Sequence, residues 1–180
     1  LLRQETGVTP NITVLGSSYD SEEEYYEDFF HTDHHWNING AMKAYDEIAD
    51  ALNLEKVNSY GITNIPDYLF TGATARWGLD LLEEEVFDCD NTFNYLTAIY
   101  SNGEEQDGDD HASFFNATAL MKHYSFYDLY YDNLGNCTII GGTGNRSALL
   151  ISNSYRGAIQ RPLASSYHSL SVNNQLHPSA

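Results

Sequence analysis

Hydrophobic residues recur at helical spacing most clearly after residue 37. Ala41, Ala44, Tyr45, Ile48, Ala51 and Leu52 fall three or four apart, with Asp46 and Glu47 on the opposite face. Asn37 stands where an N-cap belongs, so the pattern predicts an amphipathic helix over 37–52. Short strands are predicted at 12–15, at 68–70 ahead of Gly72, and at 136–140. Residues 53–67 contain Gly61, Asn64 and Pro66 and read as loop or short strand, whereas 74–98 carry apolar residues without one period. Residues 112–132 are rich in aromatics and aliphatics and read as helical or mixed. The apolar run 148–151 follows a Gly-rich turn and has the form of a strand buried in a parallel sheet. Pro162 then suits the first turn of a helix extending to about Tyr167.

Two polar stretches punctuate this pattern. The acidic run 20–28 reads as a solvated face or loop, because like charges repel and stay wet. The stretch 101–111 is rich in Gly, Asp and Glu and is predicted as an acidic surface loop. Asp107, Asp109 and Asp110 flank Gly108 there, but the spacing is not that of an EF-hand loop.

Composition narrows the function. The 180 residues carry 26 acidic and 8 basic side chains, for a net charge of −18, and 42% hydrophobic residues. One domain with a real core is expected. A nucleic-acid binder is excluded, since no basic stripe is available to neutralise phosphates. Docking on anionic lipid is disfavoured for the same reason, and no apolar run is long enough for a membrane span. The first residue is Leu1, so the N-terminus reads as trimmed. Cys89 and Cys137 are too far apart for a C-x-x-C site; a disulfide and two buried thiols both remain open. Asn11, Asn116, Asn136 and Asn145 begin glycosylation-type triplets of the kind an Asn-rich chain produces by chance.

Two places can carry chemistry. Ser154 follows the predicted strand 148–151 and precedes a helix, the edge at which α/β folds place ligands and where a helix N-terminus favours a developing negative charge. Asp33 and His35 are spaced so that the carboxylate can orient the imidazole, leaving the other ring nitrogen as a general base. Together they supply nucleophile, base and orienting acid. A capping serine and a polar helix entrance are the structural alternatives. A metal site competes, because His31, Asp33, His34 and His35 are all possible zinc or manganese ligands for a phosphoesterase.

The segment from Phe30 to Tyr45, with Asp33-His34-His35-Trp36 followed by Gly40, Ala41, Ala44 and Tyr45, resembles the DHHW family of bacterial SGNH-hydrolase-like proteins, relatives of the alginate O-acetyltransferases. Tyr68 to Gly78 and Leu149 to Tyr155, the latter continuing to Pro162, Ala164 and Tyr167, are similar to further family segments in the same order. Asn153 stands where the family usually has aspartate.

The resemblance implies an α/β, three-layer SGNH/flavodoxin-like fold with a mainly parallel sheet, circularly permuted and shortened at its N-terminus. It implies Ser154 as nucleophile, His35 as base and Asp33 as orienter. Gly72 and the Ser154 amide would form the oxyanion hole, and Arg76 and Tyr155 would contact substrate. The implied function is a serine-dependent O-acetyl esterase or acetyltransferase acting on a polysaccharide, with no cofactor and no metal. Such a protein would work in the cell envelope or outside the cell, receiving its acyl group from a membrane acyltransferase. A non-catalytic carbohydrate-binding or cell-surface module on the same scaffold is the alternative.

Overall fold

A computed structural model describes residues 13–16, 18–57, 59–78, 82–89, 91–93, 95–107 and 136–174. The predicted elements at 112–132 and the Asp109–Asp110 pair therefore lie outside the described residues, as do Asn11 and Asn116. Of the predicted strand 12–15, residues 13–15 are described and are not strand; Val14 is almost fully exposed.

Of the solvated face or loop expected for the acidic run, a solvated face is what forms: a helix, α1 (Glu22–Asp28), with Glu22, Glu23 and Glu27 exposed. Ser21 caps it by accepting from the Glu24 N–H at 3.1 Å, and the Glu24 carboxylate reaches back to the Asp20 N–H at 2.8 Å. Glu22, Glu23 and Glu24 occupy the first turn, where the positive end of the helix dipole offsets their mutual repulsion.

Helix α2 (Ile38–Leu52) follows the predicted boundaries. Asn37 caps it by accepting from the Asn39 and Gly40 amides. Asn53 ends it in the left-handed conformation with φ 50°. Its buried face is Ile38, Ala41, Met42, Tyr45 and Ala49; Ala51 and Leu52 stay exposed at the last turn.

Strand β1 (Ile62–Phe70) is longer than the segment predicted and leads into a short helix, α3 (Ala73–Trp77). It pairs antiparallel with β2 (Glu84–Cys89) as a separate two-stranded sheet. The register slips between Asn64 and Leu69, a stretch containing Pro66, which has no N–H for the ladder.

The larger sheet contains β3 (Thr97–Tyr100), β4 (Glu105–Asp107), β5 (Cys137–Ile140), β6 (Ser147–Ser152) and β7 (Ser169–Asn174), in the order β4-β3-β5-β7-β6. The architecture is mixed α/β, and the mainly parallel sheet expected is not what forms. Among the described strands only β6 and β7 run parallel; β3–β4, β3–β5 and β5–β7 are antiparallel. The parallel pair is joined through helix α4 (Gln160–Ser165), the crossover connection that parallel neighbours need. Part of the predicted acidic loop, residues 105–107, is strand β4 in a tight hairpin with β3, turning at Gly103 with φ +84°.

One face of this sheet carries Ala98, Ile139, Leu170 and Val172, all nearly inaccessible, into a core shared with α2 and α4. Strand β6 lies at the sheet edge among the described strands and is half-buried on alternate residues only. Leu149 and Ile151 point away from the core and are exposed, so the run 148–151 is not covered on both faces as expected. Cys89 and Cys137 are buried free thiols; burial pushes Cys137 up to about 11, and nearby Arg156 and Arg161 counter only part of that. No described helix is long and apolar enough to cross a membrane.

The Gly-rich turn between β5 and β6 packs directly on the end of α4. A Cβ on Gly142 would collide with the carbonyl oxygens of Ala164 and Tyr167, so only glycine allows this approach. Tyr45 joins α2 to the same region. Its fully buried hydroxyl accepts from the Val57 N–H at 3.1 Å and lies 2.9 Å from Ser166 Oγ, which itself donates to the Glu55 carbonyl at 2.6 Å. The Ser166 proton is thus committed, and the Tyr45 proton goes to Ser166. Replacing Tyr45 with Phe leaves the Val57 amide and Ser166 short of partners. A loss of roughly 1–3 kcal/mol is expected, read as a lower urea midpoint at unchanged slope. An unchanged midpoint would mean that water replaces the hydroxyl without cost.

Candidate active site

The segment from Phe29 to Trp36 is a tight excursion between α1 and α2, closed by a β-bridge between those two residues and by the Phe30 N–H donating to the His35 carbonyl at 3.1 Å. It turns the Asp33 side chain inward, where the carboxylate is nearly inaccessible. Asp33 Oδ1 accepts from the His35 backbone N–H at 3.0 Å, the local turn that Asp favours two residues ahead of an amide. The same oxygen lies 2.5 Å from His35 Nδ1, and Oδ2 accepts from the Ala73 amide at 2.7 Å. Burial raises the Asp33 pKa. The hydrogen bonds from the His35 ring and the Ala73 amide, together with the His35 charge, outweigh it and hold the carboxyl below its ordinary value.

An ionised Asp33 assigns the Nδ1 proton to His35, so Nε2 is left as the acceptor. That nitrogen lies 2.8 Å from Ser154 Oγ. His35 is buried, while Ser154 is partly exposed, so the hydroxyl faces both the base and solvent. Ser154 opens a 3₁₀ turn (Ser154–Arg156) immediately after β6, and Asn153 caps the turn by accepting from the Tyr155 amide at 3.1 Å. Helix α4 begins only at Gln160 and has six residues. The dipole expected to act directly on Ser154 is therefore displaced from it, and the Tyr155 and Arg156 amides of the 3₁₀ turn donate to Asn153 Oδ1 and to the Asn153 carbonyl.

The segment is gripped from a second side. The Glu84 carboxylate of β2 accepts from the His31 amide at 3.0 Å, the Thr32 amide at 2.7 Å and the Thr32 hydroxyl at 2.5 Å. Thr32 Oγ1 in turn accepts from the Gly72 amide at 2.8 Å. This corrects the expectation for Gly72: its N–H is engaged with Thr32 and does not face the Ser154 hydroxyl. Gly72 serves by its lack of a side chain, since a Cβ there would collide with Asp33 Cβ and the Thr32 carbonyl.

The expected substrate contacts divide. Arg76 turns back to the residues ahead of its own helix, with Nη1 donating to the Thr71 carbonyl at 3.0 Å. Tyr155 packs its ring 5.0 Å from that of His35 and donates its hydroxyl to the His34 carbonyl at 2.5 Å, tying the serine turn to the histidine segment.

Asp33, His34 and His35 could present three ligand atoms within 4.8 Å of one another. Both nitrogens of His35 and both oxygens of Asp33 already have partners, however, and a metal would have to displace them. His31 is turned away, stacked on Tyr26 at 4.2 Å. The sequence reading missed Thr32, Ala73 and Glu84. Nothing distinguishes Glu84 from Glu83 and Glu85 until the chain is folded.

The lowered Asp33 pKa fixes a sign. A carboxyl lowered in the folded state contributes stability at pH above its ordinary value, near 4, and loses it as pH falls through the folded value. Asp33→Asn should therefore flatten the fall in unfolding free energy below about pH 4. Denaturant titrations of both proteins between pH 2 and 6 would check this. Parallel acid limbs would show that Asp33 does not carry the effect.

No protein-family model matches the sequence, and no curated protein does. Solved structures share its fold. The chain is similar to Bacillus cereus PatB1 in a structure with a sulfonyl adduct, at a TM-score of 0.63 and 23% identity, over 88% of this chain and 55% of that one. Another structure of PatB1 matches at 0.59 and 21%, over 89% and 58%. A DHHW family protein from Eubacterium siraeum matches at 0.55 and 15%, over 82% and 50%. The chain thus spans about half the length of the structures it resembles, and what it has in common with them is a DHHW- and PatB1-like fold.

Proposed function

We propose that this chain is a serine-dependent O-acyl transferase or esterase, with acetyl as the group expected, acting on a polysaccharide or other acylated carbohydrate through an acyl-enzyme on Ser154. The observation that carries this reading is the unbroken line from the Asp33 carboxylate through both nitrogens of His35 to Ser154 Oγ, at 2.5 and 2.8 Å. A carbohydrate-binding module has no need of a buried, oriented imidazole aimed at a half-exposed hydroxyl. A metal-dependent phosphoesterase needs the lone pairs that these contacts occupy.

His35 Nε2 takes the Ser154 Oγ proton as Oγ attacks the ester carbonyl. The oxygen of the tetrahedral intermediate draws on the Ser154 amide at the head of the 3₁₀ turn; Gly72 is not a donor in this reading. His35 then returns the proton to the departing alcohol. Water attacks the acyl-enzyme in an esterase, and a sugar hydroxyl does so in a transferase. On this reading the protein works in the cell envelope, and its acyl group comes from a membrane acyltransferase.

One structure of the same fold carries a sulfonyl adduct. The same chemistry tests this chain. Fluorophosphonate or sulfonyl fluoride treatment should add one label to the wild type by intact mass, and none to Ser154→Ala. His35→Ala should label at least about 10²-fold more slowly. EDTA should leave the labelling rate unchanged, whereas the phosphoesterase reading requires a metal. A folded wild-type protein that takes no label would overturn the serine mechanism and leave the binding module as the better reading.

A further inference from the structure

Trp77 is 80% exposed at the end of α3, an unusual place for the largest apolar side chain. Its ring plane lies within 10° of that of His34, with centroids 6.4 Å apart. His34 is itself half exposed, and its ring centre is 4.0 Å from that of His35. The two rings thus continue from the general base outward as parallel aromatic faces.

The backbone that carries each ring is tied to the triad. The first residue of α3, Ala73, donates its amide to Asp33, and Ala75 donates to the Thr32 carbonyl at 3.0 Å. Trp77 lies one turn beyond Ala73. The His34 backbone is held by the Tyr155 hydroxyl, one residue from Ser154. The elements that assemble the triad therefore also hold the backbone from which the two exposed rings project.

Building on the acyl-transfer reading, we infer that Trp77 and His34 form the acceptor subsite, where the apolar face of a pyranose ring stacks and presents a hydroxyl to the acyl-enzyme. The C–H-bearing face of a sugar is the group that an electron-rich indole face attracts, and its equatorial hydroxyls can meet solvent and the His34 ring nitrogens. In the transfer step the sugar oxygen attacks the acyl carbonyl and gives its proton to His35 Nε2. The Ser154 Oγ–carbonyl bond breaks, and Oγ recovers that proton.

The partition of the acyl group tests this, because the ratio of transfer to hydrolysis is internal to each variant. The enzyme is charged with p-nitrophenyl acetate in the presence of cellohexaose, xylohexaose or chitohexaose, and acetylated sugar is measured against free acetate. Trp77→Ala should lower the ratio roughly tenfold, Trp77→Leu similarly, and Trp77→Phe much less, as expected when the loss is of a stacking face and not of bulk. An equal ratio in wild type and Trp77→Ala overturns the inference, as does an acyl-enzyme that none of the three sugars intercepts. Titration of the same sugars into Ser154→Ala, with and without Trp77→Ala, reads binding without chemistry. If the wild type forms no acyl-enzyme, the serine reading fails. Saccharide binding that weakens about tenfold without Trp77 would then still support the platform, and binding that is absent or indifferent to Trp77 would overturn it as well.

Discussion

The buried Asp33 carboxylate is the constraint on which the site depends. An ionised carboxyl withdrawn from water costs several kcal/mol unless hydrogen-bond donors replace the water. Here the donors are the His35 amide, the His35 ring and the Ala73 amide. Each belongs to a different piece of geometry: the turn of the 31–35 segment, the tautomer and tilt of the imidazole, and the corner where β1 passes into α3. Satisfying one charge therefore orders all three. Glu84 repeats the device from the other side, taking two amides and the Thr32 hydroxyl, so that the segment is held between two carboxylates.

Ser154 reaches this arrangement from 119 residues further along the chain, and its 2.8 Å approach to His35 is set by packing. His35 lies just ahead of α2 and Ser154 just ahead of α4. The two helices share one core, and the Tyr45–Ser166 contact joins them at the far end. The parallel pairing of β6 with β7 directs β6 toward the histidine segment, while Gly142 lets the preceding turn lie flush on the end of α4. Arg156, two residues after the serine and only 1% exposed, makes the 3₁₀ turn part of the interior.

What could be read in the sequence was local. Helix α2 announced itself because its cap and its 3.6-residue period lie within one stretch of chain. Asp33 and His35 were paired by a spacing of two, and Ser154 stood out as the end of an apolar run. The misreadings and open choices came where the deciding partner is remote or where two local signals compete. The charge of the acidic run 20–28 does not by itself separate a solvated face from a loop, although Ser21 and three first-turn glutamates turn that charge to a helix's advantage. Strand β4 is polar because it lies at a sheet edge among the described strands, so it lacks the alternation that marks a strand. A strand's place in its sheet is not encoded in any single segment, which is why the apolar run 148–151, parallel to its neighbour β7, lies half-exposed at the edge of the described strands. The same limit applies to Gly72. That a strand closes at Gly72 was legible, but not that Thr32 Oγ1 takes its amide.

The commitment of the Gly72 and Ala73 amides has a consequence for how α3 should be understood. A short helix beside a nucleophile suggests donors for the oxyanion, yet the first two amides at this corner are turned toward the 31–35 segment and hold the acid and its neighbour. In the proposed mechanism transition-state charge then falls to the Ser154 amide, which belongs to the other half of the site. This divides the labour between the two halves. The β1–α3 corner holds Asp33, and through it His35, from behind and carries Trp77, whereas in the proposed mechanism the β6 turn supplies the nucleophile and the charge stabilisation. Because the backbone that carries Trp77 and the His35 ring are held by the same carboxylate, an acceptor seated on Trp77 in the proposed reading is placed by the group that places His35. The geometry of proton transfer is then set before the acceptor arrives, so orientation is supplied by the fold and not by the encounter.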